Sequence, residues 1–430
     1  MLFVNHIIIE ERKMIQYTLK APSKLTETVN LPASKSISNR ALIISALSGN
    51  VVLPQNLSDC DDTNVIVKAL RDMPYEIDIM AAGTAMRFMT AYLSVNEGEH
   101  VLTGTERMKH RPIKILVDAL RYLGADIEYV GEEGFPPLRI RGKKLEGGQL
   151  DIPGNVSSQF ISALLMIGPV LEKGLELNLT GNIISRPYID LTLHTMHDFG
   201  AKVEWKDINT IKAEPCGYIQ RDYLIENDWS SASYWYEMLA IHNHPGDEIV
   251  LTGLADASRQ GDSSVRYLFS MLGVKTTFES TEAGVPTTVT LKRVAKRLPR
   301  LDYDFVNQPD LAPTFVVCCC AMNIPFHFTG LATLKIKETD RIAALKNEMR
   351  KTGYVIQDMN DSELLWDGER CEASWEPIDT YEDHRMALAF APMCFLHEGL
   401  RINNPQVVTK SYPRFWEDLQ QAGFQVLTDL

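Results

Sequence analysis

The sequence predicts an α+β fold assembled from one supersecondary unit used six times. Two observations carry this. First, a polar or charged turn leads six times into an apolar run of helix length: 31–40 into 41–47, 82–87 into 88–95, 157–159 into 160–170, 230–233 into 234–241, 310–313 into 314–322 and 383–385 into 386–396. The later runs are each followed by a short strand, and four of these strands end Leu-Thr-Gly or Phe-Thr-Gly, at Gly104, Gly181, Gly253 and Gly330. A unit recurring along a chain marks duplication of a structural module. Second, the runs are apolar nearly all round, which predicts helices buried inside their units and not lying on a surface.

The remaining elements follow in order. Residues 14–19 and 25–31 alternate in character and read as strands about a Pro22-Ser23 turn. Residues 59–63 cap a helix reaching to about 71, and 73–80 form a short connector. Arg111-Pro112 opens an amphipathic helix over 113–123, with Pro near the first helical position. Residues 126–140 hold strands. Ser185-Arg186-Pro187 opens a helix through 199, and strands continue to 225. Residues 226–228 are a polar break. Residues 265–272 and 341–350 are further helices. Each unit thus reads as a buried helix, a strand, an amphipathic helix and a strand pair.

At 430 residues and 45% hydrophobic content, the chain can bury more than one core. Lys plus Arg number 43 and Asp plus Glu 56, a formal charge of −13, which argues against a nucleic-acid partner. An anionic ligand therefore needs locally concentrated cations. The seven cysteines show no metal-ligand spacing, and three of them, Cys318-Cys319-Cys320, fall in an apolar helix. A reducing cytoplasm, no metal and no membrane span are expected. Residues 1–13 do not read as a signal peptide, since Ile7-Ile8-Ile9 is short and acidic residues follow at once. Met14 is an alternative start, and removing 1–13 is expected to change little.

The opening loop holds Lys35, Ser36, Ser38 and Arg40. Ser36 and Ser38 are suited to cap the helix that follows, whose N-terminus attracts anions. With two cations this makes a cradle for a doubly charged anion. The same residues equally fit an ordinary capped helix, and from this stretch alone the two readings stand level.

The stretches 31–40, 82–87, 107–112, 157–159, 185–190, 337–341, 383–386 and 409–410, in that order, resemble the 5-enolpyruvylshikimate-3-phosphate synthases of the enolpyruvyl transferase family. The resemblance covers about residues 14–430. Each motif alone is weak; eight in order are strong. The resemblance implies a two-domain inside-out barrel, each domain made of three βαβαββ units around a pseudo-threefold axis. The implied domains are 1–33 joined with 227–430, and 34–226. It implies transfer of enolpyruvyl from phosphoenolpyruvate to the 5-hydroxyl of shikimate 3-phosphate, by a monomer without cofactor. The chemistry needs an acid for C3 of the enol ether, a base for the hydroxyl, and cations for two phosphates and a carboxylate.

Carried across residue by residue, the resemblance implies a shikimate 3-phosphate site of Lys35, Ser36, Arg40, Ser157, Ser158, Gln159, Ser185, Tyr188, Asp310, Thr333 and Lys337. It implies a phosphoenolpyruvate site of Lys35, Gly83, Thr84, Arg111, Gln159, Glu338, Arg341, Arg385 and Lys410. Asp310 would be the base, Glu338 the acid protonated near neutral pH, and Lys337 and Lys35 would assist. His384 reads as structural, satisfied by polar neighbours. Each residue also has a plain reading: Arg341 as surface ion-pair decoration, the serines as caps, Tyr188 as core. Ala81 and Thr333 replace asparagines common in the family, so altered affinities are expected there. Cations drawn from both halves would repel across an empty cleft, which predicts an open form that closes on ligand. Two alternatives remain. The related UDP-N-acetylglucosamine enolpyruvyl transferases use a loop cysteine as acid, and residues 107–112 contain none. A non-catalytic phosphate binder would need neither Asp310 nor Glu338.

Overall fold

A computed structural model describes residues 15–49, 52–295 and 297–429. Residues 1–13, including Ile7-Ile8-Ile9, lie outside the described residues. The chain builds two hydrophobic cores. One takes its buried side chains from Ala33 through Ile225. The other joins Leu19, Leu25, Val29 and Leu31 to residues from Trp229 to Phe424. The chain passes between them at paired extended segments: Ala33 bridges Asn227, the Ser34 N–H donates to the Glu226 carbonyl at 2.9 Å, and the Asp228 N–H donates to Pro32 at 2.9 Å.

Four sheets share one plan, a parallel pair followed by two antiparallel neighbours. They run Glu76–Asp78, Gly98–Thr103, Leu138–Gly142, Asp126–Tyr129; then Gly148–Pro153, Leu175–Thr180, Thr210–Ala213, Val203–Trp205; then Thr26–Asn30, Glu248–Ala255, Pro286–Arg293, Val274–Phe278; then Leu301–Asp304, Phe326–Thr329, Glu363–Trp366, Gln357–Met359. A fifth sheet places Gln16–Lys20 between Leu400–Asn403 and Gln425–Asp429, antiparallel to both. Parallel neighbours require a crossover connection, and the buried helices supply it. The connector over 73–80 therefore contains a strand that the sequence reading missed. Its Glu76-Ile77-Asp78 buries only Ile77, too short an alternation to signal a strand. The first unit departs from the repeat: among the described residues its extended pairings are isolated bridges, Ala33 to Asn227 and Gln55 to Leu224.

The six buried helices are Lys35–Leu47, Gly83–Val95, Ser158–Ile167, Trp229–His242, Ala312–Ala321 and His384–Phe390. Most begin earlier than their apolar runs suggest, because the small polar residues belong to the first turn. Ser34, not Ser36 or Ser38, caps the first helix and accepts from the Ile37 N–H. Ser38 is buried and its hydroxyl accepts from the Ser58 N–H at 3.0 Å. Asp228 and Asp383 cap their helices in the same way. Pro112 lies just before the N-cap Ile113 of helix Lys114–Tyr122, outside the helix, whereas Pro187 does sit in the first turn of Arg186–Asp198. Among the described residues no helix is long and apolar enough to cross a membrane.

Candidate active site

The first turns of the buried helices converge between the two cores, on a polar cavity of about 90 Å³. Their exposed N–H groups give this point a positive potential before any side chain is counted. The cavity is lined by Lys35, Ser36, Arg40, Gly83, Thr84, Arg111, Ser157, Ser158, Gln159, Ser185, Tyr188, Asp310, Lys337, Glu338, Arg341 and Arg385. Lys410 stands just behind Glu338, its ammonium 3.1 Å from the carboxylate, and lines a larger adjoining cavity of about 770 Å³ with Arg111 and Glu338. Thr333 does not line the site. It sits in the turn Ala332–Ile336 with its hydroxyl buried and unpartnered.

The cations are not bare. Lys35 meets Asp62 at 3.3 Å, and Lys337 meets Asp310 at 3.3 Å. Arg385 donates to Asp310 at 2.9 Å. Arg341 is 1% exposed and donates to Asp383 at 2.7 and 3.2 Å, Glu338 at 2.7 Å and Asp310 at 3.1 Å. A surface ion-pair reading of Arg341 is thereby excluded. This pairing also removes the premise of an empty cleft forced open by repulsion. The cores instead touch directly, through Arg107 with Glu382, Arg259 with Asp198, and Thr409 with Asp61.

The network sets the protonation states. Burial opposes the charge of Asp310, but Arg385, Lys337 and Arg341 more than offset it and hold its carboxyl well below the usual range. Burial likewise raises Glu338, yet Lys410, Arg341 and Arg111 outweigh it, so this carboxyl is also held well below its ordinary value. The expected protonated acid is therefore an anion in this structure. Burial lowers Lys35, but Asp62, with Cys60 and Glu338, reverses this and keeps the ammonium above its usual range. That makes Lys35 an electrostatic group and a poor proton donor.

Arg40 is buried and heavily used by the protein. It donates to Thr192 at 2.7 Å, to Ser162 at 3.2 Å, and to the Ser36 and Tyr188 carbonyls at 2.9 and 3.1 Å. Of a guanidinium's five N–H groups this leaves one for a ligand. Ser157 is both cap and cavity wall, accepting from the Gln159 N–H. The Gln159 amide donates to the Thr84 hydroxyl at 3.0 Å. Ser185 adopts a left-handed backbone (φ +53°) and donates its N–H to Val306 of the second core at 3.0 Å. Gly83 lets two guanidinium groups approach the backbone: a Cβ there would lie 2.5 Å from an Arg111 nitrogen and 2.7 Å from one of Arg87, so any side chain would displace both arginine ends. Ala81 retains a role through its backbone, whose carbonyl accepts from Lys410 at 3.1 Å.

Asp62, Asp228, Ser230, Ser231, Tyr234, His384 and Ser411 also line the cavity and are not among the site residues expected from the sequence. The repeat carried the signal for some of them. If Ser157 and Ser158 at the third unit's first turn face the ligand, then Asp228, Ser230 and Ser231 at the fourth should as well. His384 corrects its structural reading. It is 1% exposed, both ring nitrogens lack a hydrogen-bond partner, and the nearer Asp383 oxygen is 3.7 Å away. Burial, then Lys35 and Arg385, keep its pKa well below the usual value, so the ring is neutral.

The family model for EPSP synthase (3-phosphoshikimate 1-carboxyvinyltransferase) matches residues 19–80 and 72–419. The 3-phosphoshikimate 1-carboxyvinyltransferase of Bacteroides fragilis is 58% identical over 413 residues, covering 96% of this chain and 99% of its own. That of Photobacterium profundum is 35% identical over 441 residues, covering 95% and 99%. The solved structure of EPSP synthase from Acinetobacter baumannii superposes with a TM-score of 0.75 over 97% of this chain and 100% of its own, at 22% identity, which speaks to the fold. With the repeated units, the convergent helix ends and the ordered motifs, these matches show that the chain belongs to the EPSP synthase family.

Proposed function

We propose that the chain transfers the enolpyruvyl group of phosphoenolpyruvate to the 5-hydroxyl of shikimate 3-phosphate, releasing phosphate, and that the residues above divide the work as follows. The observation that carries this is one cavity in which two carboxylates, Asp310 and Glu338, sit inside a cage of cations drawn from both cores. Ser157, Ser158, Ser185, Ser36 and the remaining Arg40 N–H hold the shikimate phosphate. Tyr188 lies along the ring. Arg111, Arg341, Arg385 and Lys410 receive the phosphate and carboxylate of phosphoenolpyruvate, with Gly83, Thr84 and Gln159 beside them.

The reaction then follows from charge. Phosphoenolpyruvate brings anionic groups to Arg111, Arg341 and Lys410, the cations that hold Glu338 ionised. Their attraction for Glu338 is shared out, its proton affinity rises, and it takes a proton. Glu338 delivers this proton to C3, C2 becomes electrophilic, and the 5-hydroxyl attacks C2 as its proton passes to Asp310. The tetrahedral adduct expels phosphate, which carries off the proton held by Asp310, and a C3 proton returns to Glu338. Lys337 and Lys35 stabilise the charge that develops.

We further propose that residues 1–33 with 227–430, and residues 34–226, are the two domains; the two cores and the crossover at Ala33 and Asn227 support this. The free and largely buried cysteines support a cytoplasmic setting. The test is phosphate release from phosphoenolpyruvate with shikimate 3-phosphate, and with UDP-N-acetylglucosamine as the competing acceptor. Release with the second acceptor alone would overturn the reading.

A further inference from the structure

Asp262 lies outside the cavity wall, yet it governs two oxygens that form it. It is 3% exposed and belongs to the short turn Gly261–Ser264 of the second core. Its Oδ1 accepts from the Tyr188 hydroxyl of the first core at 3.1 Å, and its Oδ2 accepts from the Ser230 hydroxyl. The two segments meet closely here: a Cβ on Gly261 would lie 2.6 Å from the Pro187 Cβ, so only glycine lets the Asp262 turn reach Tyr188.

Each hydroxyl has one proton. With both protons committed to Asp262, the Tyr188 and Ser230 oxygens can only accept hydrogen bonds from whatever fills the cavity. We propose that Asp262 is a positioning residue that fixes this wall as an acceptor surface, so that it selects ligand hydroxyl donors, and that it orients the Tyr188 ring across the junction of the two cores. An acceptor-only surface suits the hydroxyl donors of the acceptor's polyol part and not its anionic part, which has no proton to give. An unbroken carboxylate is essential to that role. An asparagine at 262 would place an N–H₂ against one hydroxyl and turn that hydroxyl's proton into the cavity. The inference rests on the reading of Tyr188 as a shikimate 3-phosphate contact.

The test uses the full chain and its Asp262→Asn, Tyr188→Phe and combined variants. Phosphate release yields kcat and separate KM values for shikimate 3-phosphate and phosphoenolpyruvate. If the parent fails to turn over this pair, the functional reading itself falls, before any variant is compared. Asp262→Asn is expected to raise the KM for shikimate 3-phosphate by about ten-fold, the scale of one charge-assisted hydrogen bond. The KM for phosphoenolpyruvate should stay near the parent value. In the Tyr188→Phe background the same substitution should cost clearly less, because one of the two hydroxyls it acts through is gone. An unchanged KM for shikimate 3-phosphate, an equal effect in both backgrounds, or a loss of active enzyme with both KM values unaltered would each overturn the proposal. Should Asp262→Asn not fold, Ser230→Ala and Tyr188→Phe replace it. Sharing Asp262, they should be non-additive in the KM for shikimate 3-phosphate, and strict additivity would refute the role.

Discussion

Replacing Glu338 with glutamine separates two effects that the structure superimposes. Glu338 accepts from Arg341 at 2.7 Å and faces Lys410 at 3.1 Å, and both partners are buried. Raising a carboxyl from its ordinary value of 4.5 to half-protonation at pH 7 takes about 3 kcal/mol. These ion pairs add to that figure, so the bound substrate must supply more than 3 kcal/mol of compensation before Glu338 can act. Glutamine keeps the shape and a hydrogen-bonding oxygen but carries no proton to give. Turnover should fall by ~10²–10⁴, a barrier increase of roughly 3–5 kcal/mol. The amide does not repel phosphoenolpyruvate, so the KM for that substrate should hold or fall while the KM for shikimate 3-phosphate stays near the parent value. Proton linkage gives an independent readout. Calorimetric titration with phosphoenolpyruvate, in two buffers of different ionisation enthalpy, should show proton uptake by the parent and almost none by Glu338→Gln. Parent-like turnover in the variant, or equal proton uptake by both proteins, would refute the reasoning.

Asp310→Asn removes the partner shared by Arg385, Lys337 and Arg341. Turnover should drop by ~10²–10⁴, and the KM for shikimate 3-phosphate should rise as well; steady-state kinetics in both substrates checks this. Gly83→Ala pushes a methyl group against Arg111 and Arg87. The KM for phosphoenolpyruvate should rise by about ten-fold or more as one charge-assisted contact is lost, with that for shikimate 3-phosphate little changed. Glu237 is fully buried in helix Trp229–His242 with neither carboxyl oxygen partnered, and burial pushes its pKa well above the usual value. The folded state therefore keeps a proton that the unfolded chain releases. This contribution is complete below the unfolded pKa and is lost as pH rises through the folded one. Glu237→Met should raise the Tm, by more at pH 8 than at pH 5.5, as differential scanning fluorimetry would show; an equal gain at both would contradict it.

Local pattern in the sequence is enough to set the repeated units, the burial of their helices and the order of the ligand-facing turns. An apolar run without a polar face has nowhere to go but a core, and a small polar residue before it has few places to sit except the first turn. Local pattern reads the N-terminal strands as strands, while their place beside residues 227–430 came from the family resemblance alone, because it depends on pairing Gln16–Lys20 with strands almost 400 residues away. The short strand Glu76–Asp78 was likewise decided by its pairing with Val101–Thr103 and not by local preference. At the site, motif order brought most of the candidates to one cavity, while Thr333 fell outside it because a turn can point only some of its residues inward. What the tertiary structure alone decided is electrostatic. Glu338 is ionised because Lys410 and Arg111 arrive from distant segments to join Arg341, three residues along its own. His384 is neutral because its ring is buried beside Lys35 and Arg385. Asp262 matters because Gly261 can approach Pro187. A residue's chemistry depends on charges within a few ångströms in space, and separation along the chain does not record that distance.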